Sequence, residues 1–239
     1  MIKETKFRSV LKSITWRFCA TATTFSLVFL FTGKLDTAIK VGGIEVFLKM
    51  LIYFLHERVW GNVKFGRHEI QPFVIWITGL SSSGKTVLAE KVVEKLNAKD
   101  LKTEHLDGKT IRHLFPATGF TKFQVNEHIK RVGLLASRLE SKGVFVVASF
   151  ISPYEESREF VRDLCKNFIE VYVSTPVEVC EKRDHKSLYK RARKGEIKNL
   201  PGVDVTYEVP KNPDLTLDLS NQELEKNAEK VVRYIKKYL

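Results

Sequence analysis

Cysteine and histidine are scarce in this 239-residue chain, and their spacing excludes two classes of site. The three cysteines (Cys19, Cys165 and Cys180) are odd in number, have apolar neighbours and form no C-x-x-C pair. The six histidines show no H-x-x-x-H or comparable spacing. Disulfide frameworks and zinc sites depend on such patterns. We therefore expect reduced, buried thiols in a cytosolic setting and no zinc site.

Runs of consecutive basic residues are also missing, although the formal net charge is +12. Residues 1–69 hold eleven Lys/Arg and five Asp/Glu, and residues 70–239 hold 29 and 23, so each part carries half of the excess. Basic blocks interleaved with aromatic residues are typical of nucleic-acid binding. We therefore expect no nucleic-acid partner, and interpret the charge as suited to anionic lipid or to a phosphorylated small substrate.

Residues 1–69 contain two long apolar stretches. The first, residues 13–33, carries a single charge at Arg17, which leaves enough apolar length for most of a membrane crossing. After a turn near Gly33–Lys34, the second stretch contains charged residues, of which Glu45 and Lys49 are four apart on one helix face. We predict a two-helix membrane hairpin. Because intramembrane charge is costly, a buried soluble hairpin is the alternative.

Basic residues flank this hairpin at both ends: Lys3, Lys6, Arg8, Lys12 and Arg17 at its start, and Arg58, Lys64 and Arg67 at its end. The positive-inside rule then puts both ends in the cytoplasm. No small-x-small site precedes a mature secreted chain, so we expect no cleaved signal peptide. The expected protein is membrane-associated through residues 1–69, with residues 70–239 forming a domain that faces the cytoplasm.

Residues 79–86, GLSSSGKT, match the signature G-x-x-x-x-G-K-[ST], with an apolar strand-like run before them and a helical pattern after them. In such a loop, backbone N–H groups surround phosphate oxygens at the start of a helix. We predict that Lys85 is catalytic and reaches the β- and γ-phosphates of ATP, and that Thr86 holds Mg²⁺. The predicted nucleotide-binding residues are Gly79, Leu80, Ser81, Ser82, Ser83, Gly84, Lys85 and Thr86.

Strand-like and helical segments alternate through the rest of the chain: apolar runs at 143–150, 168–175 and 214–219, and helical patterns at 123–142, 155–166 and 222–237. This alternation predicts a parallel sheet covered by helices on both faces. Ligands bind beyond the carboxyl ends of such strands. Asp107 follows the run TEHL and opens an expected loop, so it lies on the phosphate side of the sheet. We predict that it organises Mg²⁺ or accepts a proton.

Several stretches together resemble the adenylylsulfate (APS) kinases: GLSSSGKT, LDGKTIRHLF, GFTKFQVNEHIKRVGLLA, SFISPY, FIEVYVSTPVEVCEKRD and KSLYKRARKGEIKNLPGVDVTYEVP. The resemblance covers about residues 76–219. It implies a P-loop nucleoside-triphosphate-hydrolase-type α/β fold, usually a homodimer, that passes the ATP γ-phosphate to the 3′-hydroxyl of adenylylsulfate. Residues 6–66 resemble short predicted membrane proteins of unknown function, through RSVLKSITWR and GGIEVFLKMLIYFLHERVW.

The resemblance also implies roles outside the phosphate loop. The implied acceptor-binding residues, beside Asp107, are Arg112, Phe120, Ile151, Ser152 and Lys186. Ser152 is further implied as catalytic, and a helix cap before PYEESREF is its alternative role. Arg183 is implied in nucleotide binding. A basic lid over the nucleotides is implied for Lys190, Arg191 and Arg193, for which an exposed, solvated helix is the alternative.

Departures from the family pattern lie on the acceptor side: Lys109, Thr110, Gln124, Val125, His128, Glu155, Leu200 and Pro201. Lys109 stands where the family has an acid, which makes the site more positive by two charges. Three functions remain open on the residues alone. They are an adenylylsulfate kinase, the same phosphotransfer to another nucleotide or nucleotide-linked acceptor, and a membrane-tethered nucleotide-binding module with little turnover.

Overall fold

The computed structural model describes residues 2–4, 6–30, 35–63, 65, 67–69, 71–115, 119–221 and 223–235. The chain divides into two compact units, residues 1–70 and residues 71–239. The turn expected near Gly33–Lys34 lies outside the described residues.

Two long helices make up most of the first unit. Its elements are β1 (Ile2–Glu4), α1 (Lys6–Leu30), α2 (Leu35–Asn62) and β2 (Arg67–Glu69), and the two strands pair antiparallel. The helices pack side by side in opposite directions. Lys12 of α1 pairs with Glu57 of α2 at 3.2 Å, and one turn further on Trp16 meets Tyr53 edge to face at 4.9 Å between ring centroids.

Arg8 closes one end of this helix pair. Its fully buried guanidinium donates to the carbonyl oxygens of Trp60 at 2.7 Å and Val63 at 2.8 Å, and also to that of Phe65. The last carbonyls of a helix have no donor within the helix itself. Arg8 of α1 therefore caps the end of α2, and its position 5.0 Å from the centroid of the Trp60 ring adds a cation–π contact.

Apolar side chains are exposed on both helices: Phe7, Val10, Ile14 and Phe18 on α1, and Phe47, Met50, Leu51, Phe54, Leu55 and Val59 on α2. Such surfaces mark places where a protein meets a partner or lipid. Within the described residues, however, neither helix combines the length and the apolar character that a membrane crossing requires.

The second unit is a five-stranded parallel sheet with helices between the strands, which confirms the predicted α/β fold. The strand order is β4-β5-β3-β6-β7, with every neighbouring pair parallel. The strands are β3 (Val74–Gly79), β4 (Thr103–Asp107), β5 (Phe145–Ser149), β6 (Phe168–Val173) and β7 (Leu215–Leu217). The helices are α3 (Lys85–Asn97), α4 (Gly108–Leu114), α5 (Lys122–Ser141), α6 (Glu155–Leu164), α7 (Val177–Lys182), α8 (Leu188–Arg193) and α9 (Leu224–Ile235).

The core lies on both faces of this sheet. Trp76 of β3 packs with Val132 of α5 and Val161 of α6 in one apolar cluster. The residues on either side of Trp76, Ile75 and Ile77, point to the opposite face and are also fully buried. The sheet is therefore covered on both sides, and its carboxyl edge is left for the site.

Gly133, within α5, lets that helix pack closely against α6. A Cβ added there would lie 2.4 Å from Cγ2 of the fully buried Val161, and valine is stiff about χ1. We expect Gly133→Ala to lower the free energy of unfolding. Overpacking typically costs about 1–3 kcal/mol, and the better helix propensity of alanine returns at most about 1 kcal/mol.

Urea unfolding measures this change. The double variant Gly133→Ala/Val161→Ala is the matched control, because it removes the valine methyls that the new Cβ meets. Its loss of stability should be smaller than the sum of the two single losses. Additive losses would mean that the two positions do not touch.

Candidate active site

The phosphate loop occupies the bend between β3 and α3, and two of its glycines are required by geometry. Gly79 has φ +150°, and a Cβ there would lie 2.6 Å from the carbonyl oxygen of Val173. Gly84 caps α3 with φ +99°, in the left-handed region that favours glycine. The signature thus has the strand before it and the helix after it that phosphate binding needs.

Lys85 is turned into the loop. Its ammonium donates to the carbonyl oxygen of Leu80 at 2.5 Å and to the hydroxyl of Ser83 at 3.4 Å. Burial, with a smaller contribution from the nearby Lys186, lowers the pKa of Lys85 to about 8. Thr86, the next residue, is exposed at the start of α3. The loop therefore has the Lys85 ammonium and the exposed Thr86 next to where a phosphate chain would lie.

This pKa leads us to expect that ATP binds more weakly as the pH rises above about 8. Phosphate oxygens favour the protonated ammonium, so above that pH the protein must take up a proton when ATP binds. The dissociation constant should then rise by up to about tenfold per pH unit. Equilibrium titration with a non-hydrolysable ATP analogue measures it. Lys85→Arg is the control, since a guanidinium stays charged and should give a flat profile.

Asp107 ends β4 and caps the short helix α4. Within the described residues, its Oδ2 accepts from the backbone N–H groups of Lys109 and Thr110 at 3.1 Å each and from the Thr110 hydroxyl at 3.2 Å. Partial burial opposes ionisation, but these hydrogen bonds outweigh it and lower the pKa of Asp107. Asp107 is therefore an ionised carboxylate at neutral pH. It aligns with Ser149 across the sheet, at the edge that carries the phosphate loop.

The expected loop after Asp107 is a helix. α4 begins directly at Gly108, and Lys109 contributes its backbone N–H to the Asp107 cap. Lys109 itself is exposed, in the first turn of α4. The departure at Lys109 thus leaves the cap of α4 intact.

Arg112 and Phe120 lie together. The Arg112 guanidinium carbon is 4.5 Å from the centroid of the exposed Phe120 ring, a cation–π contact. His128 is buried behind them, edge to face with Phe115 and Phe150 at 6.1 and 6.2 Å. Burial first, then the charges of Arg112 and Arg131, lower the pKa of His128 to about 4. His128 is therefore neutral at physiological pH.

Ser152 is buried and does not cap α6. The N-cap of α6 is Tyr154, which makes no side-chain cap bond, so the alternative role as a helix cap is wrong. Instead the Ser152 hydroxyl accepts from Nε1 of Trp76 at 3.1 Å and donates to Oγ1 of Thr78 at 2.8 Å. Thr78 in turn donates to the carbonyl oxygen of Ile151 at 2.8 Å. These bonds fix the loop after β5 to the strand that leads into the phosphate loop.

The short helix α8 is joined directly to the phosphate loop. Asp184 accepts from the backbone N–H groups of Leu188 and Tyr189 at 2.8 Å each and so caps the helix start. The Tyr189 hydroxyl donates to the Ser81 carbonyl oxygen at 2.9 Å. Lys186, just before this helix, is exposed. The segment implied as a lid is therefore bonded to the phosphate loop, so that a movement of one affects the position of the other.

The basic side chains of α8 differ in their pairing. Arg193 forms an ion pair with Glu181 at 2.7 Å, and Arg191 approaches Glu196 at 3.4 Å. Lys190 is exposed. Exposed pairs of this kind contribute little to stability, so these cations can leave their partners for a phosphate at small cost.

Arg183 holds the segment that follows β7. Its Nη2 donates to the carbonyl oxygens of Leu219 at 2.9 Å and Ser220 at 2.8 Å. The side chain of Leu219 in turn packs against Gly84: a Cβ added at Gly84 would lie 2.9 Å from Cδ1 of Leu219. Arg183 therefore shapes one wall of the phosphate loop, close to where a nucleotide would lie.

Three departures from the family pattern have structural uses. Gln124 forms a capping box with Thr121 at the start of α5, and Val125, in the first turn of α5, packs against the apolar cluster that includes Trp76. Leu200 is buried with Cys180, Tyr189 and Ala192. The capping box was readable in the sequence as T-x-x-Q, whereas the contacts of Leu200 join segments that are distant in sequence.

A cavity of about 550 Å³ opens beside the phosphate loop. Its lining includes Leu80, Thr175, Gly202, Asp204 and Tyr207. This volume lies within the range of small-molecule sites. The ring of Tyr207 stacks on that of Tyr172 at 5.9 Å between centroids, so one wall of the cavity is aromatic.

Comparison with known proteins identifies the family. A family model described as "Adenylylsulphate kinase" matches residues 71–218. An adenylyl-sulfate kinase from Halothermothrix orenii is 44% identical over 162 residues, which cover 67% of this chain and 88% of that protein. The chain belongs to the adenylylsulfate kinase family. It is a phosphotransferase that acts on a hydroxyl group, with ATP and Mg²⁺ as its cofactors.

Other relatives agree with this assignment. An adenylyl-sulfate kinase from Gloeothece citriformis is 45% identical over 159 residues, 66% of this chain and 90% of that protein. The structure of the Mycobacterium tuberculosis APS kinase in complex with AMPPNP and APS covers 70% of this chain and 98% of its own, with a TM-score of 0.67 and 36% identity. Residues 10–61 match a second family, described as "Predicted membrane protein (DUF2061)".

The donor set beside the phosphate loop suits Mg²⁺. This ion is usually held by one or two protein oxygens together with substrate phosphates and water. The Thr86 hydroxyl is exposed, and the described hydrogen bonds to Asp107 all go to one of its two oxygens. Both are hard oxygen donors, and both lie on the carboxyl side of the sheet.

Proposed function

We propose that this adenylylsulfate kinase family member transfers the γ-phosphate of ATP to the 3′-hydroxyl of adenylylsulfate. The observation that carries the proposal is the meeting of three elements at one edge of the sheet. The phosphate loop follows β3, ionised Asp107 ends β4, and the loop of Ile151 and Ser152 follows β5. The relatives of known activity support adenylylsulfate as the acceptor.

In this proposal the loop residues 79–86 surround the phosphate chain of ATP. Lys85 neutralises charge that develops on the transferred phosphoryl group. Thr86 and Asp107 would hold Mg²⁺, which would neutralise negative charge on the phosphate chain. Asp107 also accepts the proton of the attacking hydroxyl. Its lowered pKa keeps it ionised at neutral pH. Arg183 shapes the nucleotide end of the site.

The acceptor is bound, in this proposal, by the residues that the family pattern implies. Arg112 approaches the anionic group of the acceptor, and Phe120 offers its exposed ring to the base. The Ile151–Ser152 loop and Lys186 complete the set. Ser152 is buried with its hydroxyl already engaged, so we assign it a positioning role in holding the loop.

One assay tests the reaction. The purified full-length chain, with Mg²⁺ and ATP, is offered adenylylsulfate and then a panel of other nucleotides and nucleotide-linked sugars. We expect 3′-phosphorylated adenylylsulfate as the preferred product, with a Michaelis constant in the micromolar range typical of enzymes acting on their own substrate. Preference for another acceptor would replace the substrate in this proposal. ATP binding without transfer to any acceptor would overturn it.

We propose further that residues 1–69 are a membrane hairpin and that residues 70–239 are a kinase domain in the cytoplasm. The exposed apolar side chains of α1 and α2 and the match of residues 10–61 to a predicted membrane protein family support this. The full-length chain should remain in the membrane fraction after alkaline and high-salt washes. Release by either wash would favour a soluble hairpin.

Light scattering of the solubilised chain tests the homodimer that the family resemblance implies.

A further inference from the structure

A buried arginine links the two segments that border the acceptor side. Arg158, in α6, is 2% exposed. Its Nη1 donates to the carbonyl oxygen of Ser152 at 2.7 Å, and its Nη2 donates to the carbonyl oxygen of Glu208 at 2.7 Å. One guanidinium thus holds the loop after β5 and the segment that returns from α8 toward β7.

Glu170 of β6 forms an ion pair with that guanidinium. Nε of Arg158 lies 3.0 Å from Oε1 of Glu170, and both side chains are buried. Nη2 of Arg162 lies 2.8 Å from the other oxygen of Glu170. Buried ions persist only when paired. The carboxylate pairs with the guanidinium on its Nε side, and the two outer nitrogens bond to the carbonyl oxygens.

The two segments also bond to each other. The backbone N–H of Glu208 donates to the Pro153 carbonyl oxygen at 2.8 Å, and the backbone N–H of Glu155 donates to Oε2 of Glu208 at 2.8 Å. The Tyr207 hydroxyl lies 2.8 Å from Oγ1 of Thr78. Arg158 is therefore the buried centre of a junction that joins the Ser152 loop, the cavity wall at Tyr207 and β3.

We propose that Arg158 is a positioning residue for the acceptor: it sets the spacing between the Ser152 loop and the 207–209 segment, and Glu170 holds it in that orientation. This rests on the proposed function, because it assigns the acceptor to these two segments. The ATP side is held by other contacts, chiefly Tyr189 to Ser81 and Arg183 to Leu219. Loss of the junction should therefore affect the two substrates unequally.

Arg158→Lys tests this, because it keeps the charge beside Glu170 but cannot reach both carbonyl oxygens with fixed geometry. We expect the KM for adenylylsulfate to rise about tenfold or more, as for loss of a hydrogen bond to a charged group, with the KM for ATP within about twofold of the parent. Arg162→Lys is the matched control. It alters the other arginine of the same carboxylate, 38% exposed, whose described bonds reach neither segment, and its two KM values should not change.

A purely structural role gives a different result. Equal effects of Arg158→Lys and Arg162→Lys on the acceptor KM, or equal rises in both KM values for Arg158→Lys, would overturn the proposal. If Arg158→Lys does not fold, Glu170→Gln replaces it, because it keeps Arg158 and removes the charge that Glu170 shares between Arg158 and Arg162. An acceptor KM unchanged in that variant would also overturn it. If the parent chain shows no activity toward adenylylsulfate, the proposed function fails, and this failure is visible before any variant is made.

Discussion

Lys85→Ala is expected to lower kcat by about 10³-fold, because removal of one preorganised electrostatic contact to the transition state commonly costs about 10²–10³ and this lysine is the loop's own cation. The ammonium is held by Leu80 and Ser83 at the point where the loop would surround phosphate oxygens. Initial rates at saturating ATP and adenylylsulfate measure the loss.

The free energy of unfolding of Lys85→Ala should be equal to that of the parent or higher. A buried ammonium is costly to keep charged, as the lowered pKa of Lys85 shows. An inactive variant that unfolds no earlier than the parent would therefore separate catalysis from folding. Lys91→Ala on the same helix is the control, because Lys91 is exposed and pairs only with nearby Glu94 in the described contacts. A kcat for Lys85→Ala close to the parent value would mean that the phosphate site has been misassigned.

Asp107→Asn should lower kcat by about 10²–10⁴-fold, the usual contribution of a positioned proton acceptor, with little change in stability. Asparagine caps helices about as well as aspartate, so α4 keeps its start. The amide nevertheless cannot carry the negative charge that a proton or Mg²⁺ requires. Because the pKa of Asp107 is lowered, protonation of this group should not change the parent rate near neutral pH.

The stability effect of losing a cap can be measured separately. Asp107→Ala removes both cap and charge and should be less stable than Asp107→Asn by about 0.5–2 kcal/mol. Thr121→Ala removes a comparable cap from α5 without touching a carboxylate, and its kcat should stay near that of the parent. If Asp107→Asn retains full kcat, Asp107 is a helix cap and nothing more.

The phosphate loop and the parallel sheet could be predicted because their signals are local. The signature, the apolar run before it and the helical pattern after it are contiguous, and the alternation of runs fixes the fold class. The start of α4 was missed, although Asp107 before Gly108 is an N-cap signal. A seven-residue helix has too little periodicity to stand out from a loop.

Contacts between distant residues could not be predicted in this way. Ser152 bonds to Trp76 and Thr78, more than seventy residues earlier in the chain, so a local interpretation offered a helix cap instead. Leu200 is similar: the sequence marks it only as a departure from the family pattern, while the structure shows a residue packed in a small core. In both cases the partner is chosen by the fold of the sheet edge rather than by neighbouring residues.

The junction at Arg158 has a consequence for which side chains of this protein can be substituted. Arg158 donates its hydrogen bonds to two main-chain carbonyl oxygens, which every amino acid supplies. The side chains at positions 152 and 208 can therefore change without removing the bonds to the guanidinium. Arg158 and Glu170 hold the two segments in register, and both are buried away from the proposed substrate surface. Lys109, which is exposed, makes none of the described bonds of this junction, so it can change while the junction keeps its shape.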